Sequence, residues 1–160
     1  MTAFEIANIK QFMNSLLLTD TFDIFLLEKA NLVVSNTVDI DGRYNPAFFE
    51  GTEEKPSYEF TPWEEIRPLI VSLIKGKSTP ISFKFALILK PEYVKGALKD
   101  ALTDEGANLI KALVLNVKYE NDRLLLVTGT SFNTFVMDKS IDAAWDSSMK
   151  GFLIKHEFEI

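Results

Sequence analysis

The side chains that most often perform catalysis are scarce in this chain. His156 is the only histidine, so a Ser-His-Asp triad would have to use it, and the expected role is that of a solvent-exposed residue near the end. There are no cysteines, which excludes disulfides, thiolate nucleophiles and cysteine-ligated metals. A metal site with two or three histidine ligands is impossible. The neighbouring carboxylates at 64–65 diverge on a predicted helix and those at 53–54 lie in a predicted loop, so neither pair is expected to act as an acid/base pair. We therefore predict a protein that is not an enzyme.

Two short motifs resemble parts of ligand loops and are interpreted structurally. Asp39-Ile-Asp41-Gly42 lacks the third acidic position and the distal glutamate of a calcium loop, and is predicted to be a polar turn. Thr128-Gly129-Thr130-Ser131 lies between two predicted strands, whereas a phosphate cradle usually opens a helix. A bulge or turn is predicted there. We expect no catalytic residue, no metal and no cofactor.

The candidate binding residues are aromatic or basic. Trp63 and Trp145 lie near predicted helix starts or faces, where they either pack in a core or interface or offer a stacking platform to a ligand. Lys75 and Lys77 flank Gly76 at a predicted helix end, where cations complement the helix dipole. The full set of possible binding residues is Trp63, Lys95, Lys99, Arg43 and Trp145.

Composition indicates a single domain with a sizeable core. The chain has 160 residues, 47% of them apolar, and 13 phenylalanines. No apolar run approaches the ~20 residues that span a bilayer, and no signal-peptide pattern opens the chain. We expect a cytoplasmic protein without membrane partners. The net charge of −6 predicts weak or absent nucleic-acid binding by a monomer.

The periodicity of apolar residues predicts an α+β fold. The expected strands are 3–6, 22–27, 32–40, 81–89, 109–119, 123–130 and 132–137, with turns at 28–31, at Asp41-Gly42 and at 120–122. The expected helices are 8–18, 62–75, 91–102 and 140–153. Asn8 is the predicted cap of the first helix, Thr61 and Glu64 form a capping box for the second, and Leu69 belongs to the second helix's core face. Residues 45–61 are predicted to be a surface loop, with a short strand near Tyr58 and Phe60.

Two of these helices have the same apolar spacing. Positions 9, 12, 13, 16 and 17 match positions 94, 97, 98, 101 and 102, and each helix stands between a strand and a hairpin. This predicts two similar halves, 1–60 and 61–137, with their helices side by side on one sheet face, followed by a C-terminal helix at 138–154. The alternative is that the spacing is merely that of any two amphipathic helices.

The segment from Leu113-x-Leu115-x-Val117 to Leu124-x-Leu126-x-Thr128 completes a strand-helix-hairpin order over residues 81–137. This order resembles the repeat unit of DNA sliding clamps. The resemblance implies a mostly antiparallel sheet with helices packed on one face, and inner-face cations at Lys10, Arg67, Lys95 and Lys99. It also implies homo-oligomerisation, because a clamp ring needs more domains than this chain has.

The whole chain also resembles a family of short bacterial proteins of unknown function. The features that carry the resemblance are Asp20-Thr-Phe-Asp23, Asp41-Gly-Arg43, Trp63, Ile74-Lys-Gly-Lys77 with Thr79-Pro80, Thr128-Gly-Thr-Ser131 and Ala144-Trp-Asp146. This resemblance implies no assigned activity. We interpret the chain as a non-enzymatic, clamp-like binding domain that can self-associate. The alternative is a small-molecule or peptide-binding protein with a pocket between the sheet and helix 62–75.

Overall fold

The computed structural model describes every residue except Lys75 and Lys77, so the predicted helix-end cations lie outside the described residues. Its strands are β1 (Ala3–Glu5), β2 (Phe25–Val33), β3 (Thr37–Asp41), β4 (Thr61–Pro62), β5 (Ser82–Leu89), β6 (Ile110–Glu120) and β7 (Arg123–Phe132). Its α-helices are α1 (Ile9–Leu18), α2 (Trp63–Ile74), α3 (Pro91–Leu98), α4 (Asp104–Leu109) and α5 (Ser140–Lys155). Two 3₁₀-helices span Pro46–Phe49 and Lys99–Ala101.

The seven strands form one antiparallel sheet in the order β1-β7-β6-β5-β2-β3, with β4 paired to β2 beside β3. Alternate side chains of each long strand enter one hydrophobic core, as Phe83, Phe85 and Leu87 do on β5. Helices α1, α2, α3 and α5 each contribute buried residues to the same core. The predicted α+β class, with helices on one face of a mostly antiparallel sheet and a C-terminal helix, is confirmed.

The strand-helix-hairpin order occurs twice, as predicted, but the sheet does not repeat it. The two units are β1-α1-β2-β3 and β5-α3-β6-β7. Strand β5 pairs with its own hairpin at β6, whereas β1 pairs with β7 of the other unit. Helix α1 packs against α2, and α3 packs against α5. The predicted side-by-side pairing of the two matched helices is therefore wrong.

The predicted turn at 28–31 is wrong, because β2 continues through it to Val33. Lys29 and Asn31 lie on the helix-free face of the sheet, where water accepts polar side chains, and Asn31 donates a hydrogen bond to Asp39 at 2.8 Å. The polar stretch therefore has the composition of a turn while its backbone remains extended. The predicted strand 32–40 is divided between β2 and β3 by a turn after Val33.

The structure confirms the predicted cap of α1 but not that of α2. Asn8 caps α1, since its side chain accepts a hydrogen bond from the Gln11 N–H at 3.0 Å. Thr61 does not cap α2. It belongs to strand β4, where it pairs with Leu27 of β2, and its hydroxyl donates a hydrogen bond to the Gly42 carbonyl at 2.9 Å. Helix α2 begins at Trp63. The predicted core role of Leu69 is also wrong, since its exposed fraction is 47%.

The second half of the chain adds one element that was not predicted and lacks one that was. Helix α3 ends at Leu98, and α4 follows with Thr103 as its cap. The hairpin β6-β7 turns at Asn121 and Asp122, whose positive φ angles of 53° and 60° are typical of a two-residue turn. Residues 133–137 are not a strand, since β7 ends at Phe132.

Candidate functional site

A second apolar patch lies on the helix-free face of the sheet. Leu26, Ile88 and Val114 are cross-strand neighbours on β2, β5 and β6. Leu26 is only 3% exposed and Ile88 only 9%, although neither belongs to the core beneath the helices. Residues of α3 and α4 line the space beside this patch only at the end of the sheet, and residues 57–60 line the rest of it.

The segment 57–60 lines the space over this patch as part of a short ribbon. We call residues 42–44 together with 57–61 the ribbon. Arg43 pairs with Phe60, the Tyr44 N–H donates to the Glu59 carbonyl at 3.1 Å, and the Thr61 N–H donates to the Gly42 carbonyl at 2.7 Å. Gly42 is required here because a Cβ atom at this position would lie 1.8 Å from the Leu27 carbonyl oxygen. This close approach, rather than the predicted turn, explains the glycine.

Between the ribbon and the sheet lies a groove of about 550 Å³, which we call the rim groove. It continues around the end of the sheet toward α3 and α4. Its apolar lining comes from all sides: Leu26, Phe60, Ile88, Leu89, Pro91, Val94, Leu102, Ala107, Ile110, Ala112, Leu113 and Val114. A concave, mostly apolar site of this size with a few polar groups is typical of small-ligand sites.

The charged residues of the rim groove are Glu28, Arg43, Glu59 and Lys111. Arg43 forms an ion pair with Glu59, and its guanidinium lies 4.9 Å from the centre of the Phe60 ring. Neither Glu28 nor Lys111 forms a side-chain ion pair or hydrogen bond within the described residues. The groove therefore has two charged side chains to offer to a ligand.

Polar contacts fasten the ribbon to α3 and α2. The Tyr58 hydroxyl donates to both carboxylate oxygens of Glu92, at 2.7 and 2.8 Å, and this hydrogen bond raises the pKa of Tyr58 to about 12. Lys90, which is buried, pairs with Glu64 at 3.2 Å, and its ammonium group lies 5.6 Å from the centre of the Tyr58 ring. These contacts hold the wall of the rim groove in place.

A second cleft, of about 670 Å³, lies beside the ribbon. Its lining includes Tyr44, Pro46, Phe49 and Pro56, and it shares Arg43, Tyr58 and Glu59 with the rim groove. The Tyr44 hydroxyl donates to Glu65 at 3.0 Å, and its pKa is raised by burial and by this carboxylate. Arg43 thus belongs to both depressions.

Among the predicted binding residues, Arg43 lines the rim groove. Trp63 is fully buried against Phe85, and its indole N–H donates to the Leu16 carbonyl at 2.9 Å. Trp145 is buried as well. Of the two roles that the sequence left open, the structure assigns both rings to packing, since neither has a face open to a ligand. Lys95 and Lys99 lie on α3 and the 3₁₀-helix after it, with exposed side chains outside the groove lining.

The two loop-like motifs have structural roles. Asp39 and Asp41 belong to β3 rather than to a turn, and Asp41 accepts a hydrogen bond from the Arg43 N–H at 3.0 Å. Thr128 and Thr130 lie on β7 and donate hydrogen bonds to Asp146 and Asp142 of α5. No group of three or more His, Asp or Glu side chains in the described part of the chain is placed to hold a metal ion. None of the described helices is both long and apolar enough to cross a bilayer.

The pocket predicted between the sheet and helix 62–75 has no counterpart at Trp63, where α2 packs directly on β5. The rim groove lies on the other side of the sheet and was not predicted. A sequence signal for it exists: the apolar runs at 25–27, 86–89 and 112–115 interrupt the alternation of β2, β5 and β6. In the register of the sheet the three runs lie side by side on neighbouring strands. Consecutive residues of a strand point to opposite faces, so the sheet is apolar on both faces in this region.

Comparison with protein-family models identifies a family that covers most of the chain. The model of a protein family described as "Family of unknown function (DUF5721)" matches residues 15–160. This agrees with the resemblance to an uncharacterised family. No curated protein and no solved structure matches the chain, and the likeness to sliding clamps gains no support from them.

Proposed function

Because the chain belongs to this family of unknown function, we propose from the geometry of its own residues that it is a non-enzymatic binding protein whose ligand occupies the rim groove. The ligand is small and elongated, mostly apolar, with polar ends. Its body lies on Leu26, Ile88 and Val114, beneath the ribbon.

One observation carries this proposal: an apolar floor on the face of the sheet that has no helices. Elsewhere that face has side chains such as Lys29, Lys84 and Lys118, which water solvates. A second depression of about 540 Å³ on this face is lined by polar residues such as Lys29, Asn31 and Lys84, so the apolar lining, rather than the volume, distinguishes the rim groove. Apolar surface around such a depression gains free energy when a ligand displaces water from it.

The test uses anilinonaphthalene sulfonate, a dye whose fluorescence rises on apolar surfaces. Ala112 is partly buried in the groove lining, and Ala112→Trp fills the depression with an indole ring. The matched control is Ala86→Trp, because Ala86 lies on the same face of the adjacent strand and lines the polar depression between Lys29 and Asn116.

We expect Ala112→Trp to weaken dye binding by about tenfold or more, equivalent to at least ~1.4 kcal/mol. Ala86→Trp should leave the affinity nearly unchanged. Far-ultraviolet circular dichroism verifies that both variants fold. Equal dye affinity in both variants would show that the dye binds elsewhere and would refute the proposal.

We propose further that the protein acts in the cytoplasm and does not depend on nucleic acid. The lack of cysteine and the net charge of −6 support this. Arg67, one of the candidate inner-face cations, is already paired with Asp23 at 2.8 Å. A salt titration of duplex DNA binding should show little slope.

Self-association stays a proposal supported by the exposed Phe135 and Met137, and sedimentation equilibrium measures it.

A further inference from the structure

Two β-bulges place charged residues at the rim groove. In β2, Leu27 pairs with Leu87 and Lys29 pairs with the next residue, Ala86, so Glu28 is the additional residue. In β6, Ile110 pairs with Phe132 and Ala112 pairs with the next residue, Ser131, so Lys111 is the additional residue. Bulges change the direction of a side chain and are frequent beside functional sites. Both bulged residues line the groove.

Glu28 and Lys111 are also the two groove charges without a partner in the described part of the chain. The other two, Arg43 and Glu59, neutralise each other. On the same wall, Lys90 is paired with Glu64, and Glu92 accepts from Tyr58. The fold therefore satisfies the surrounding charges and leaves one anion and one cation available.

The two charges lie at opposite ends of the apolar floor. From the row formed by Leu26, Ile88 and Val114, Glu28 lies toward the middle of the sheet and Lys111 toward the end where β6 begins. Glu28 and Lys111 are two strand spacings apart across the sheet and about four residues apart along the strands. Their separation is therefore about 15 Å. This is the length of an extended peptide of about four or five residues.

We propose that the rim groove binds a short apolar peptide in an extended conformation, with its free α-amino group at Glu28 and its free carboxylate at Lys111. This inference depends on the proposed binding function and specifies its ligand. A fatty carboxylate would use Lys111 alone and would place alkyl carbon against the Glu28 carboxylate. A peptide with both termini free satisfies both charges, and their opposite signs determine its direction.

The experiment is competition against anilinonaphthalene sulfonate by the pentapeptide Leu-Ala-Leu-Ala-Leu. Three forms are compared: both termini free, the N-terminus acetylated, and the C-terminus amidated. Each is titrated into the wild-type protein and into Glu28→Gln and Lys111→Gln. The matched controls are Glu120→Gln and Lys118→Gln, which change the same charges at positions of β6 outside the groove.

We expect acetylation of the peptide's N-terminus to weaken competition about tenfold in the wild type. It should have no further effect in Glu28→Gln, because acetylation and the substitution each remove the same ion pair between the amino group and Glu28. Amidation should behave in the same way with Lys111→Gln. The control variants should retain both capping effects.

The inference is overturned if free and capped peptides compete equally well. It is also overturned if Ala112→Trp prevents the dye from binding but the free peptide does not displace the dye from the wild type. Either result leaves the binding function of the groove standing. If Ala112→Trp does not change the affinity for the dye, the binding function itself is refuted, and the peptide inference is refuted with it.

Discussion

The indole N–H of Trp145 donates a hydrogen bond to the carbonyl oxygen of Val114 at 2.9 Å, while the Val114 side chain lines the rim groove on the other face of the sheet. Helix α5 is thus attached to the strand that supplies the groove floor. Hydrogen bonds from Thr128 and Thr130 of β7 to α5 strengthen the attachment. The C-terminal helix therefore supports the candidate site without contacting it.

Replacing this tryptophan should destabilise the fold. Trp145→Phe removes the hydrogen bond and leaves space in the core, and we expect the free energy of unfolding to fall by about 1–3 kcal/mol, measured by urea denaturation. Phe48→Leu, at an aromatic residue that is 79% exposed, should change it by no more than about 0.5 kcal/mol. A near-neutral Trp145→Phe would mean that α5 is not held by this contact.

Two neighbouring residues of α2 test which face of the helix is buried. Ile70 is fully buried, so Ile70→Ala should cost about 2–5 kcal/mol of unfolding free energy. Leu69→Ala should cost far less, because nearly half of its side chain already contacts water. Thermal and urea denaturation of the two variants supply the comparison. Similar losses in both would indicate that Leu69 is covered by a partner in solution.

Gly42 allows the ribbon to leave the sheet, and an added methyl group should prevent this. Gly42→Ala places a Cβ atom against the Leu27 carbonyl, and we expect a loss of about 3 kcal/mol or more in unfolding free energy. The control is Gly96→Ala in α3, where a Cβ meets nothing within 4 Å. That change should stabilise the protein by about 0.5–1 kcal/mol. If Gly42→Ala were tolerated as well as Gly96→Ala, the backbone at Gly42 would not be held against the Leu27 carbonyl.

The contact between Tyr58 and Glu92 predicts a pH dependence in alkaline solution. The carboxylate raises the pKa of Tyr58 to about 12 in the folded protein, above the value near 10 of an unfolded chain. The folded state therefore holds this proton more tightly. The contribution to stability is fully present below about pH 10 and is lost as the pH rises toward about 12.

The stability difference between the wild type and Tyr58→Phe measures this contribution, because Tyr44 and Tyr119 titrate in both proteins. We expect the difference in urea midpoint to shrink between about pH 10 and about pH 12. Tyrosinate absorbance in Glu92→Gln should show the pKa of Tyr58 falling toward its ordinary value. A difference in midpoint that stays constant across this range would exclude the proposed linkage.

Local patterns predicted the elements whose residues alternate or repeat cleanly. Strand β5 and the hairpin β6-β7 place apolar residues at every second position over the helix layer, and Asn8 has the side chain that a cap needs. The polar residues 28–31 resembled a turn because β2 has a solvated face. The six residues of α4 are too few to show a helical period.

The candidate site was less predictable because it depends on pairing between distant residues. Arg43 meets Phe60 and Gly42 meets Thr61 across a long loop, and no local pattern encodes those contacts. The bulges at Glu28 and Lys111 become visible only when the register of neighbouring strands is known. The unbroken apolar runs in β2, β5 and β6 were the available signal.

The central claim is that a ligand binds on the helix-free face at the rim groove, and chemical-shift mapping by NMR tests it most directly. Titration with anilinonaphthalene sulfonate should shift the amide signals of residues around Leu26, Ile88 and Val114 together with those of the ribbon. The signals of Asn31, Lys84 and Lys118, on the same face but outside the groove, should stay in place. Shifts confined to the exposed segment around Phe135 and Met137, or absent altogether, would contradict the account.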